Sequence, residues 1–192
     1  MFSIWNIFNL GKIVPKGDGR MYKVDGQDKI VELENVPQSC VGAPEPVVLS
    51  DEHRTVLAFY LQEPPDECGG TSVNVVSQSS ERSVTIVQFA SCYDYMFGSP
   101  NDEAFDGHPL ARKGLRPYGA YEVLNSSWIR QLERMNSVHP YHKPERFWER
   151  HHYIFAFHDS TFECVADGFQ ITQSFGSMMS MVPIMAEELW AR

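Results

Sequence analysis

The sequence has no Cys-x-x-Cys pair. Its four cysteines, Cys40, Cys68, Cys92 and Cys164, stand far apart. That spacing excludes a closed zinc signature and predicts free thiols in a reducing, cytoplasmic setting. No run approaches the ~18 apolar residues that a membrane-spanning helix needs. There is no repeat, no low-complexity tract, no glycine-rich nucleotide loop, no His-Glu-x-x-His and no nucleophile motif. Basic residues are also sparse. Sixteen Lys and Arg against 25 Asp and Glu leave a formal charge of −9, with no basic stripe. Nucleic-acid binding rests on phosphate neutralisation, so that class of partner is excluded.

What is present describes a packed protein. Of 192 residues, 43% are hydrophobic and 12% aromatic, which fits one globular domain over 1–192 rather than a disordered chain. The N-terminus (Met1, Ile4, Trp5, Phe8) is apolar but lacks the basic flank and cleavage site of a signal peptide. Its polar side holds Ser3, Asn6 and Asn9 rather than Lys or Arg, so docking on the core is expected over gripping a membrane surface. Cys68, in Pro-Pro-Asp-Glu-Cys-Gly-Gly, is expected to be the most exposed thiol, with acidic neighbours that raise its pKa.

The stretch from His151 to Phe169 organises the reading. Side chains alternate across a strand, so Tyr153, Phe155 and Phe157 share one face and His152, Ile154, Ala156 and His158 the other. A second strand from Thr161 carries Phe162, Cys164 and Ala166 on one face and Glu163, Val165 and Asp167 on the other. Asp159 and Ser160 suit the turn between them. Pairing Phe157 with Phe162 gathers the aromatics into a core face, sets His152 opposite Asp167 and places Glu163 diagonal to His158. The second face then has an apolar middle and His–carboxylate pairs at its ends. That is the make-up of a small-molecule pocket, and equally of an ordinary water-facing sheet.

Elsewhere, residues 20–25 and 29–34 read as a hairpin turned through Asp25–Asp28. Residues 54–62 and 83–90 read as strands, the latter with Val84 and Ile86 on one face and Val87 and Phe89 on the other. Residues 98–119 form a long aperiodic loop holding His108, Arg112, Lys113 and Arg116, and loops of that length are commonly functional. After a strand over 118–124, Ser126 or Ser127 caps a helix with Trp128, Ile129, Leu132 and Met135 on one face. Pro144 opens a short helical turn with Phe147, and Pro183 opens a last helix. The expected fold is α+β: a mostly antiparallel sheet, sandwich- or barrel-like. A central amphipathic helix and a short C-terminal helix pack on one side of it.

Five of the seven histidines fall between residues 139 and 158. His139, His142, His152 and His158 are the residues that would ligate a Zn or Fe ion. Their spacing carries no metal signature, so the expectation is that no cofactor is bound. His158 tuned by Glu163, with Asp159 beside it, is the candidate acid–base group. His108, Arg112, His152, Ile154 and Asp167 are the candidate ligand-binding set. The functional expectation is a soluble protein that binds a small molecule or protein partner through the polar hairpin face and the 98–119 loop. The alternatives are a small enzyme using the His–carboxylate cluster and an acidic inhibitor or immunity-type protein.

Overall fold

The computed structural model describes residues 22–63 and 81–190. The apolar N-terminal stretch and Cys68 with its surrounding loop lie outside the described residues, as does the start of the 20–25 segment.

Nine strands are described: β1 (Lys29–Glu32), β2 (Val47–Ser50), β3 (Thr55–Tyr60), β4 (Arg82–Ala90), β5 (Asp94–Gly98), β6 (Ala120–Leu124), β7 (His151–Ala156), β8 (Thr161–Ala166) and β9 (Gly168–Gly176). Three α-helices accompany them: α1 (Ser127–Asn136), α2 (Glu145–Trp148) and α3 (Met178–Trp190). The strands pair antiparallel in two sheets, ordered β1-β6-β7-β8-β5 and β2-β3-β4-β9. The fold is α+β, built mostly from antiparallel sheet.

Period-two alternation explains the layering. Phe59, Val87 and Phe89 from the four-stranded sheet meet Tyr153, Phe155, Phe157, Phe162 and Cys164 from the five-stranded one, forming the core of a sandwich. The opposite faces are apolar too, and each has its own cover. Val84 and Ile86 pack with Val56 and Ala58 under Met178, Met181, Met185 and Leu189 of α3. Ile154, Ala156 and Val165 pack under Trp128, Ile129 and Leu132 of α1, Phe147 of α2 and the loop residues Phe105, Leu110 and Leu115. The two long helices therefore lie on opposite outer faces, not on one side, because both sheets carry apolar residues outward.

The β7–β8 hairpin keeps its expected faces in a different register. Phe155 pairs with Phe162 and His152 with Val165, while Phe157 N–H donates to Ser160 O at 2.8 Å across the turn. The shift from the expected pairing is two residues, and an even shift leaves every side chain on its own face. It does change the partners: Glu163 now lies opposite Ile154 and diagonal to His152.

Other boundaries differ for identifiable reasons. Residues 29–32 pair with β6 rather than with the preceding segment. The acids of the expected turn act as caps instead: Asp28 accepts from Asp25 N at 2.8 Å and from Ser127 N at 2.6 Å. Ser126 caps α1 by accepting from Trp128 N and Ile129 N at 3.2 and 3.3 Å. The apolar stripe stops at Leu132, since Met135 is 64% exposed. Helix α3 begins five residues before Pro183 and contains it. Pro183 faces outward, as does Met179 four residues earlier, so water can satisfy the carbonyl that loses its partner. Strand β9, without a strong sequence signal, is held along nine pairings with β4.

Candidate functional site

The outer face of the hairpin is neither water-facing nor a pocket. It is sealed under α1 and the 99–119 loop, with the titratable groups inside. Glu163 of β8 is 1% exposed and accepts from His108 Nε2 at 2.8 Å, His152 Nε2 at 2.9 Å and Tyr22 Oη at 2.7 Å. His152 is fully buried, and His108, Tyr22 and Ser126 are at most 3% exposed.

The remaining bonds assign the tautomers. Leu110 N–H donates to His108 Nδ1 at 3.1 Å, so that nitrogen carries no proton and Nε2–H points to Glu163. Ser126 Oγ already accepts two helix N–H groups, so its own hydrogen goes to His152 Nδ1 at 2.8 Å. Each ring therefore directs its Nε2–H at the Glu163 carboxylate. Burial pushes the Glu163 pKa up, but the hydrogen bonds from His108 and His152 outweigh it and hold the group down at about 2. With both oxygens occupied, the cluster braces a helix cap, a long loop and the segment before β1 against the sheet.

The sequence-selected residues are thus redistributed. His108, His152 and Ile154 share this buried layer, whereas Arg112 is exposed on the loop and Asp167 is exposed at the β8–β9 corner. The His152–Asp167 pair does not form, because the register sets Val165 opposite His152. His158 does not reach Glu163. It lies past the end of β7 and pairs with Asp102 from the loop. Asp159 is exposed in the turn. Nor do the four candidate metal ligands gather. His139 Nδ1 accepts from Tyr141 N, and His142 bridges Glu133 and Asn136 at 2.8 and 3.0 Å. Among the described residues no group of three or more His, Cys, Asp or Glu is placed to hold a metal ion.

The hairpin has two open ends. At its tip, His158 Nδ1 lies 3.0 Å from Asp102 Oδ2 and 3.1 Å from Tyr118 Oη, and Tyr118 donates to the same Asp102 oxygen. Tyr118 is held at φ 63°, a conformation that costs a non-glycine residue. The Asp102 hydrogen bond pushes the Tyr118 phenol up to about 12, and the Tyr118 bond in turn keeps the Asp102 carboxyl below its usual range against the opposing effect of burial. With Nδ1–H directed at Asp102, His158 Nε2 makes no hydrogen bond to another described residue. Its side chain is 39% exposed. This is a base oriented by a carboxylate, beside a cleft of only about 40 Å³ lined by Tyr118 and Phe157.

At the base lies a groove of about 590 Å³, between the end of β6, the first turn of α1, and α2 with the residues that follow it. Its polar wall includes Asn125, Arg130, Arg150 and His151; Phe147 and Trp148 supply an aromatic surface, Trp148 being 54% exposed. Arg130 is committed to Asp25 at 2.6 Å and His151 to Glu122 at 2.7 Å. Arg150 is not. Its guanidinium sits 4.3 Å from the Tyr93 ring centroid and 5.8 Å from that of Phe147. It forms no ion pair with another described residue, and its buried Nε lacks a hydrogen-bond partner. Sequence reasoning passed over this site. Its only local signal is the run Phe147-Trp148-Glu149-Arg150-His151, aromatic and cationic residues leading into a strand.

Among the described residues no helix is long and apolar enough to cross a membrane. No protein-family model, curated protein or solved structure matches the chain.

Proposed function

We propose that this chain is a binding protein whose ligand is a small organic anion with a flat apolar body, held in the groove at the base of the hairpin. The observation that carries this reading is Arg150. In a chain of net charge −9 it is a guanidinium with no carboxylate partner among the described residues and an unsatisfied buried donor. A ligand oxyanion would supply the charge partner that no described carboxylate provides, through a charge-assisted hydrogen bond to the guanidinium. The volume falls within the usual ~300–1,000 Å³ of ligand sites. Phe147 and Trp148 supply the surface for an aromatic or planar body.

Naphthalene-2-sulfonate is a suitable probe. Titrated into isotope-labelled protein, it should shift the resonances of Phe147, Trp148, Arg150 and His151. Arg150→Met should weaken binding about tenfold, the equivalent of ~1.4 kcal/mol. Trp148→Ala should weaken it as well while leaving the melting temperature near wild type, because Trp148 is largely exposed. Shifts confined to other surfaces, or equal affinity in Arg150→Met, would sink the proposal.

A second reading, acid–base catalysis, is favoured by the hairpin tip, where Asp102 orients His158 and no described residue bonds its Nε2. The narrow adjoining cleft ranks it second. It requires that hydrolysis of a p-nitrophenyl ester fall at least about tenfold in both His158→Ala and Asp102→Asn. Rates equal to wild type in either variant would remove it.

A further inference from the structure

Three of the four cysteines are described; all are free and buried, and two lie together. Cys92 sits in the turn from β4 to β5, where Ser91 adopts a left-handed φ of 48°. The reversal lays the chain against β8: Tyr93 N–H donates to Val165 O at 2.7 Å, and Tyr95 pairs with Cys164. Cys92 and Cys164 thereby enter the same core cluster, with the Cys92 thiol donating to Asp94 O at 3.7 Å.

The two thiols differ in access. Cys164 is fully buried. Cys92 is 6% exposed and lines an open cavity of about 310 Å³, together with Glu52, His53, Ser91, Tyr93 and Arg150. Its environment also differs. The Cys164 side chain draws the Cys92 pKa below the ordinary thiol value against burial, while burial drives Cys164 well above it. An accessible, more acidic thiol backed by a sealed, protonated one is the arrangement of an attacking and a resolving cysteine.

We propose that Cys92 and Cys164 are a reversible dithiol–disulfide couple, oxidised by small hydroperoxides that enter through the cavity beside Cys92. At 6% exposure Cys92 is out of reach of a protein oxidant's active site, which restricts the reactant to a small molecule. The Cys92 thiolate attacks one peroxide oxygen, the O–O bond breaks, and the second oxygen leaves as an alcohol or water after taking a proton from solvent. Cys92 is then a sulfenic acid. Cys164 sulfur attacks Cys92 sulfur, the S–O bond breaks, and the hydroxyl departs as water with the Cys164 proton. The two sulfurs lose two electrons and the peroxide gains two. A small thiol reverses the change by exchange, itself becoming a disulfide.

The test uses full-length protein carrying Cys40→Ala and Cys68→Ala, treated with hydrogen peroxide and then denatured for thiol counting and peptide mass mapping. The two remaining thiols should be lost together, a Cys92–Cys164 linked peptide should appear, and dithiothreitol should restore both. Folded protein should form the link at least about tenfold faster than protein in urea, because packing holds the sulfurs together. In a further Cys164→Ala variant, dimedone should label Cys92. Thiols that persist in excess peroxide would overturn the proposal. So would over-oxidation of Cys92 with Cys164 untouched, or equal rates in folded and unfolded protein.

Discussion

Glu163→Ala should lower the stability of the protein by about 4 kcal/mol, a large fraction of the roughly 5–15 kcal/mol that holds a domain folded. The alanine strands three buried donors, His108 Nε2–H, His152 Nε2–H and Tyr22 O–H, and leaves a cavity beneath α1. Glu163→Gln should cost less, since its carbonyl oxygen still accepts, but its amide hydrogens confront donors. Urea unfolding of the three proteins measures the order. A loss below about 1 kcal/mol in Glu163→Ala would mean that the cluster is not formed.

The same carboxylate sets an acid limit. Its folded pKa of about 2 lies below its ordinary value of 4.5. Its contribution is therefore complete above pH ~4.5 and is lost as pH falls from there towards 2, a change on the order of 3 kcal/mol. The urea midpoint of wild type should fall across that window, while the Glu163→Gln midpoint, lacking the titrating group, should fall less. Parallel curves would show that Glu163 is not the group responsible.

Phe89→Ala should have a comparable effect, about 3–5 kcal/mol, by a different route. Phe89 is 1% exposed and stands where the two sheets meet. Its ring lies 5.3–6.1 Å from those of Tyr153, Phe155, Phe162 and Phe169. Truncation removes the β4 ring that joins β7 and β8 of one sheet to β9 of the other. Phe89→Leu, which conserves much of the volume, should lose less than about half as much. Loss of near-ultraviolet ellipticity in Phe89→Ala with far-ultraviolet signal retained would locate the damage in side-chain packing rather than in the strands. A stability within 1 kcal/mol of wild type, by contrast, would contradict the sandwich core.

What the sequence determined by itself is local and periodic. Alternation divided Tyr153, Phe155, Phe157, Phe162 and Cys164 from His152, Ile154, Ala156, Glu163 and Val165, and it did so correctly despite a register two residues away. Face membership depends only on parity. The same logic separated Val84 and Ile86 from Val87 and Phe89. The cap at Ser126 was legible because helix starts are written in adjacent residues. Partner choice was not legible, because it joins positions far apart in the chain. Glu163 takes Tyr22 from 141 residues away and His108 from 55, and neither appears in the hairpin's own pattern. The tertiary structure decided that a loop and a helix cap close over the polar face, turning an expected surface into a sealed cluster. It also sent His158 to Asp102 and left Arg150 without a carboxylate partner among the described residues. A chain with two apolar-faced sheets must cover both outer faces, and only the packing of those covers determines which polar groups end inside and which remain open to a ligand.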